Sequence, residues 1–243
     1  MPGAQDAPAC GIGGGNSHSP RVAAAAQISS TGAMMQKALT TAAPTSPAAH
    51  FLDYSRRLSD TLLGFDWTPA VQLAEDMREC WRSGRQVFLC GNGGSAGNAT
   101  HLANDFLYPL SKTKGSGIRA HALTENPAVL TCIGNDEGYD NIFSFQLAVL
   151  ASKGDVLLAF SGGGNSPNIL RALEEAKRIG MKSYAILGYS GGKAKALADV
   201  PIHFAIDDMQ IAEDTQTIVC HMIIQWLYAQ RDEFIAGCKG SAA

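Results

Sequence analysis

His101 and Asp105 stand four residues apart in "GNATHLANDF", and Glu213, Thr217 and His221 continue the same spacing over two turns of "AEDTQTIVCHM". On a helix, residues four apart share one face, so each segment would present an imidazole and a carboxylate together. If the two helices approach each other, two imidazoles and two carboxylates meet in one site. Such a set can bind a divalent ion such as zinc, or divide acid and base roles among its members. Either pair alone is equally compatible with a solvated helix surface.

Two glycine-rich loops supply a second kind of chemistry. "CGNGGSAGNATH" follows the apolar run ending at Cys90, and "SGGGNS", residues 161–166, follows "DVLLAF". Both place small residues where a strand gives way to a helix, so backbone N–H groups and the positive helix end can face an anion. Ser95, Ser161 and Ser166 add hydroxyls without bulk; the plainer reading of either loop is a tight turn. "GNGGSA" also fits the G-x-G-x-x-A dinucleotide fingerprint, which needs an acidic residue about 20 positions on, at the end of the next strand. Asp105 comes too early and Glu125 too late, which disfavours a nicotinamide enzyme, and no Walker pattern is present. "GND", Gly134 to Asp136, forms a third polar cluster or an ordinary turn, while His121 and His203 read as strand residues.

The elements that must position these groups follow from periodicity. Phe51, Ser55, Leu58 and Leu62 recur at helical spacing, and "TPAVQLAEDMRECWRSG" predicts a second helix with Thr68 as N-cap, Pro69 in the first turn and Gly84 as the stop. The apolar segments "QVFLC", "IRAHAL", "DVLLAF", "SYAIL" and "PIHFAI" then alternate with helical segments, and a last helix runs from about Ile211 to Gln230. That alternation predicts an α/β fold: one doubly wound domain whose five-stranded parallel sheet is flanked by helices and preceded by a helical hairpin. In such sheets ligands sit beyond the carboxyl ends of the strands, where both glycine loops fall.

The chain has 243 residues, 46% of them hydrophobic, enough for a sizeable core. A net charge of -3 argues against nucleic acid or an acidic membrane as partner, because both demand clustered Lys and Arg. No apolar stretch reaches the roughly 20 residues of a membrane helix, so a soluble protein is expected. Six cysteines without a C-x-x-C pair read as buried thiols of a cytoplasmic protein. Residues 1–46, rich in Ala, Gly, Ser and Pro, read as a disordered or non-native extension, with Met34 or Met35 as an alternative start. Residues 47–235 then form the folded domain and 236–243 a tail.

From about residue 50 to 230 the chain resembles the sugar isomerase (SIS) family, in its phosphoheptose isomerase branch. The resemblance rests on "CGNGGSAGNATH", "CIGNDEGYDNIFS", "GDVLLAFSGGGNSPNILRAL", "AKRIGMKSYAILGYSGGKAKALADVPI" and the helix ending "CHMIIQWL", in family order. It implies a homotetramer with active sites shared across interfaces. It also implies conversion of sedoheptulose 7-phosphate to D-glycero-D-manno-heptose 7-phosphate through an enediol. Noncatalytic sugar-phosphate-binding or replication-initiator-associating members of the fold define the alternative. Carried over, Ser161, Asn165 and Ser166 would hold the phosphate, and Asn92, Gly93, Ser95 and Asp136 the sugar. His101, Asp105, Glu213 and His221 would bind zinc, with Asp105, Glu213 and His221 catalytic. Three positions depart from the family pattern: Asp105 replaces a glutamate, Glu213 a glutamine, and Ser161-Gly162-Gly163 a Ser-Thr-Ser phosphate loop.

Overall fold

The computed structural model describes residues 46–232 and residue 234. The expected extension before Ser46 and the tail at 236–243 lie outside the described residues. Ser46 itself belongs to the fold, because its hydroxyl accepts from the Ala49 N–H at the head of helix α1, Pro47–Leu63. Helix α2, Thr68–Ser83, stops at Gly84, whose φ of 69° is the left-handed conformation that glycine adopts without a Cβ clash. Thr68 is the first helical residue rather than the cap. Asp66 receives both its N–H and its hydroxyl, at 3.0 and 2.7 Å.

Next come β1 (Gln86–Cys90), α3 (Gly94–Leu107), β2 (Arg119–Ala122), α4 (Pro127–Asp136), a 3-10 turn at Tyr139–Asn141 and α5 (Ser144–Leu150). The second half holds β3 (Val156–Ser161), α6 (Pro167–Ile179), β4 (Lys182–Leu187), α7 (Ala194–Leu197), β5 (Val200–His203) and α8 (Met209–Ala229). The strands form one parallel sheet in the order β2-β1-β3-β4-β5. The chain steps outward from β1 to β2 and returns across β1 to β3. The order therefore reverses between β1 and β3, and the crevice there is flanked by the two glycine loops.

Both sheet faces are covered, which is why β3 is buried at every position instead of alternating. Leu73, Met77, Leu102, Phe106, Val219 and Ile223, from α2, α3 and α8, pack on one face against Leu89, Leu158 and Ile186. Phe143, Leu147, Ile169 and Leu173 cover the other against Phe88, Leu157 and Ala185. Edge strand β2 does alternate, with Arg119 and His121 outward. Helix α1 has no buried residue and is tied to α8 by polar contacts: Tyr54 donates to Asp214 at 2.5 Å, and Arg57 to Asp208 at 2.5 Å. Cys80, Cys90 and Cys220 are buried thiols, as expected, whereas Cys132 is exposed on α4; Cys10 and Cys238 lie outside the described residues. No helix among the described residues is long and apolar enough to cross a membrane.

Candidate active site

Helices α3 and α8 meet side by side and run in the same direction. Near their heads, Asn98 donates to the Glu213 carbonyl and to Gln216 Oε1, both at 3.0 Å. One to two turns further along, the two histidines and Asp105 converge. His101 Nε2 lies 3.0 Å from His221 Nε2, and Asp105 Oδ2 lies 3.5 Å from the first and 3.4 Å from the second. The imidazole planes are nearly perpendicular, at 86°. Asn104 Nδ2 holds the other oxygen of Asp105 at 3.1 Å, which fixes the carboxylate with Oδ2 toward the imidazoles. Asp105 is the sheltered member, its side chain 18% exposed against 49% and 43% for His101 and His221. The three donor atoms form a nearly equilateral triangle. Ligands ~2.0–2.1 Å from a tetrahedral divalent ion stand about 3.3 Å apart, so the spacing of this set suits such an ion.

Within this chain Glu213, expected as a fourth ligand, stands apart from that triangle. It precedes His221 by eight residues, roughly 12 Å of helical rise, and with parallel helices its carboxylate is carried back to the head of α3. There it rests against Gly94, where a Cβ would fall on the carboxylate atoms themselves. Burial pushes the Glu213 pKa up; the Ser95 N–H opposes that, and neighbouring Asp214 adds to it. A carboxyl raised in the folded state makes ionisation costlier there than in the unfolded chain. Stability therefore declines as pH rises from the ordinary carboxylate value through the raised one. Glu213→Gln keeps the shape and removes the charge. Its melting temperature should exceed that of the parent at pH 7.5, with the gap closing toward pH 4; a variant less stable at pH 7.5 would contradict this sign.

The glycine loops are bound to each other. Asn92 and Asn168 exchange reciprocal amide hydrogen bonds of 2.9 and 2.8 Å, and Tyr139 donates its hydroxyl to Asn92 Oδ1 at 3.1 Å. Asn92, expected on the sugar, therefore ties the loop after β1 to the first turn of α6. Gly93 turns that loop with φ 57° and ψ -123°, and Ser95 is buried in the first turn of α3. Asp136 is exposed at the end of α4, and its partners there are Asn135 and Cys132 of its own helix.

In the second loop, Ser161 Oγ accepts from the Gly164 N–H at 3.0 Å. Asn165, expected on the phosphate, is exposed; its side chain donates to the Gly163 carbonyl and accepts from the Lys193 N–H, each at 3.1 Å, and so shapes the loop. Ser166 occupies the N-cap position of α6. The N–H groups of Gly163, Asn165 and Ser166 meet no acceptor among the described residues, which leaves a backbone cradle for an anion. Asn168 and Asn98 were missed in the sequence. An amide just after Pro167, buried where a helix begins, was the available signal for Asn168.

Residues 50–188 match the SIS domain family. The phosphoheptose isomerase of Aliarcobacter butzleri is 40% identical over 147 residues, covering 60% of this chain and 77% of that protein. That of Chlorobaculum parvum is 36% identical over 185 residues, covering 76% and 87%. The solved phosphoheptose isomerase of Neisseria gonorrhoeae is 32% identical with a TM-score of 0.68, covering 75% of this chain and 96% of that one. With the switch-point loops and the paired histidines in place, this chain belongs to the SIS domain family, in its phosphoheptose isomerase branch.

Proposed function

We propose that the chain isomerises sedoheptulose 7-phosphate to D-glycero-D-manno-heptose 7-phosphate. Two observations carry this reading: Asp105 and His221 converge from two helices, and the loop after β3 offers backbone N–H groups suited to a phosphorylated ligand. Asp105 stands roughly 16 Å of helical rise from the head of α3, so the two parts share one site where a neighbouring subunit brings them together. Moving the carbonyl from C2 to C1 requires a base that takes the proton from C1 and returns it to C2, and a partner that moves a proton between the two oxygens of the enediol. Asp105 is the base and His221 the partner. Glu213, expected to share this work, lies in this chain against Gly94 at the head of α3. The backbone N–H groups of the loop after β3 hold the phosphate.

Zinc fits His101 Nε2, His221 Nε2 and Asp105 Oδ2, and when bound it supplies polarisation of the sugar carbonyl. A homotetramer with shared sites is supported by apolar side chains left open on the hairpin and α8. Val71, Met222 and Trp226 line a groove of about 250 Å³ between α2 and α8, and Phe51, Leu52 and Leu63 are exposed on α1. Three buried free thiols agree with a cytoplasmic setting. The noncatalytic alternative is not favoured, because relatives at 36–40% identity are phosphoheptose isomerases. Incubation with sedoheptulose 7-phosphate, with and without added zinc, should produce an aldose phosphate in at least one condition. Product in neither would overturn the assignment.

A further inference from the structure

A phosphate monoester carries nearly two negative charges, yet the loops that follow the five strands contain almost no compensating charge. Segments 91–93, 123–126, 162–166, 188–193 and 204–208 contain a single Lys or Arg, Lys193, against Glu125, Asp207 and Asp208. The fold brings that lysine to the β3 loop. Its backbone N–H donates to Asn165 Oδ1 at 3.1 Å, and the next N–H, of Ala194, donates to the Gly164 carbonyl at 2.9 Å. Gly191 and Gly192 lie directly against Gly163 and Gly164, with no room for a Cβ on Gly164 or Gly192. The β4 loop is therefore fastened over the phosphate loop, and Asn165 is one of the fasteners.

The Lys193 side chain is exposed and forms no ion pair among the described residues. Lys195, by contrast, packs its stem against Gly191 beside His203. We propose that Lys193 is the phosphate-recognition cation of this site. Its ammonium closes on a phosphoryl group seated on the N–H groups of Gly163, Asn165 and Ser166, and Asn165 is its positioning residue. The inference rests on the phosphosugar reading above and deepens it. A mobile point charge on a four-carbon stem compensates for the side-chain hydroxyls that Gly162 and Gly163 do not offer.

The test is calorimetric titration of the full chain with inorganic phosphate and, separately, with sedoheptulose 7-phosphate. The proteins are the parent, Lys193→Met, Lys193→Arg and Lys177→Met, the last removing an exposed charge from the far end of α6. Melting temperatures confirm that all are folded. Lys193→Met should weaken both ligands about ten- to a hundredfold, the loss of one charge-assisted hydrogen bond. Lys193→Arg should stay within about fivefold of the parent, and Lys177→Met should bind as the parent does. Parent-like binding by Lys193→Met overturns the inference, as does an equal loss in Lys177→Met, which would mark a general field effect. If the parent binds neither ligand, the phosphosugar reading itself fails; that result is distinct from a parent that binds and a Met variant that binds equally well.

Discussion

Asp105→Asn should lower turnover about a thousandfold while leaving affinity for the phosphosugar within a fewfold of the parent. The change is nearly isosteric, and the single amide oxygen can go on accepting from Asn104 while the NH2 faces the imidazole nitrogens, but an amide cannot accept the carbon-bound proton at neutral pH. A positioned general base contributes about 10² to 10⁴ in rate, and Asp105 is the sheltered carboxylate within 3.5 Å of both imidazoles. Its second oxygen is already held by Asn104, so the variant has little reason to unfold, and an unchanged melting temperature would confirm that. Asp105→Glu lengthens the side chain by one methylene and should retain far more activity than the amide. An Asn variant keeping more than a tenth of parental turnover would remove Asp105 from the proton-transfer role. Because Asp105, His101 and His221 touch one another, a double variant of Asp105 and His221 should lose scarcely more than the worse single one.

How much of this was legible beforehand depended on the range of the interaction involved. The strands, the helical hairpin and the closing helix α8 were readable because they rest on local periodicity and on glycine and proline punctuation, as at Pro69 and Gly84. The meeting of His101 with His221 could be raised only as a condition, since spacing on one helix says nothing of its distance to another 120 residues away. Glu213 shows the same limit from the other side. The i, i+4 series Glu213, Thr217, His221 correctly placed the three on one face, yet eight residues of rise separate its ends, and the parallel approach of α3 delivers them to different places. Asn92 and Asn165 were named as site residues through the family resemblance of the glycine loops that hold them. The hydrogen bonds by which they tie one segment to another depend on partners 76 and 28 positions distant that no local pattern displays.

The second large effect concerns the joint between those loops. Gly164→Ala should lower the melting temperature by roughly 6–12 °C, the equivalent of about 3 kcal/mol in a domain of this size, and should abolish measurable phosphate binding. Gly164 has φ 67°, a conformation that costs an L-residue about 1–2 kcal/mol. A Cβ there would also fall on the Gly191 carbonyl oxygen, and the next nearest atoms, the Gly191 carbonyl carbon and the Gly192 nitrogen, are backbone as well. Backbone can yield only by breaking what holds it, here the Ala194 to Gly164 and Gly188 to Gly162 hydrogen bonds of 2.9 Å each. Any yielding separates the cradle from the loop that carries Lys193. The neighbouring Gly163 provides the contrast, since a Cβ there meets nothing within 4 Å and its φ is not positive. Gly163→Ala should leave stability unchanged or raise it by up to about 1 kcal/mol through the unfolded chain. Two adjacent glycines with the same substitution would then differ by the whole cost of the loop joint, and equal melting temperatures for the pair would show that the joint does not exist in solution.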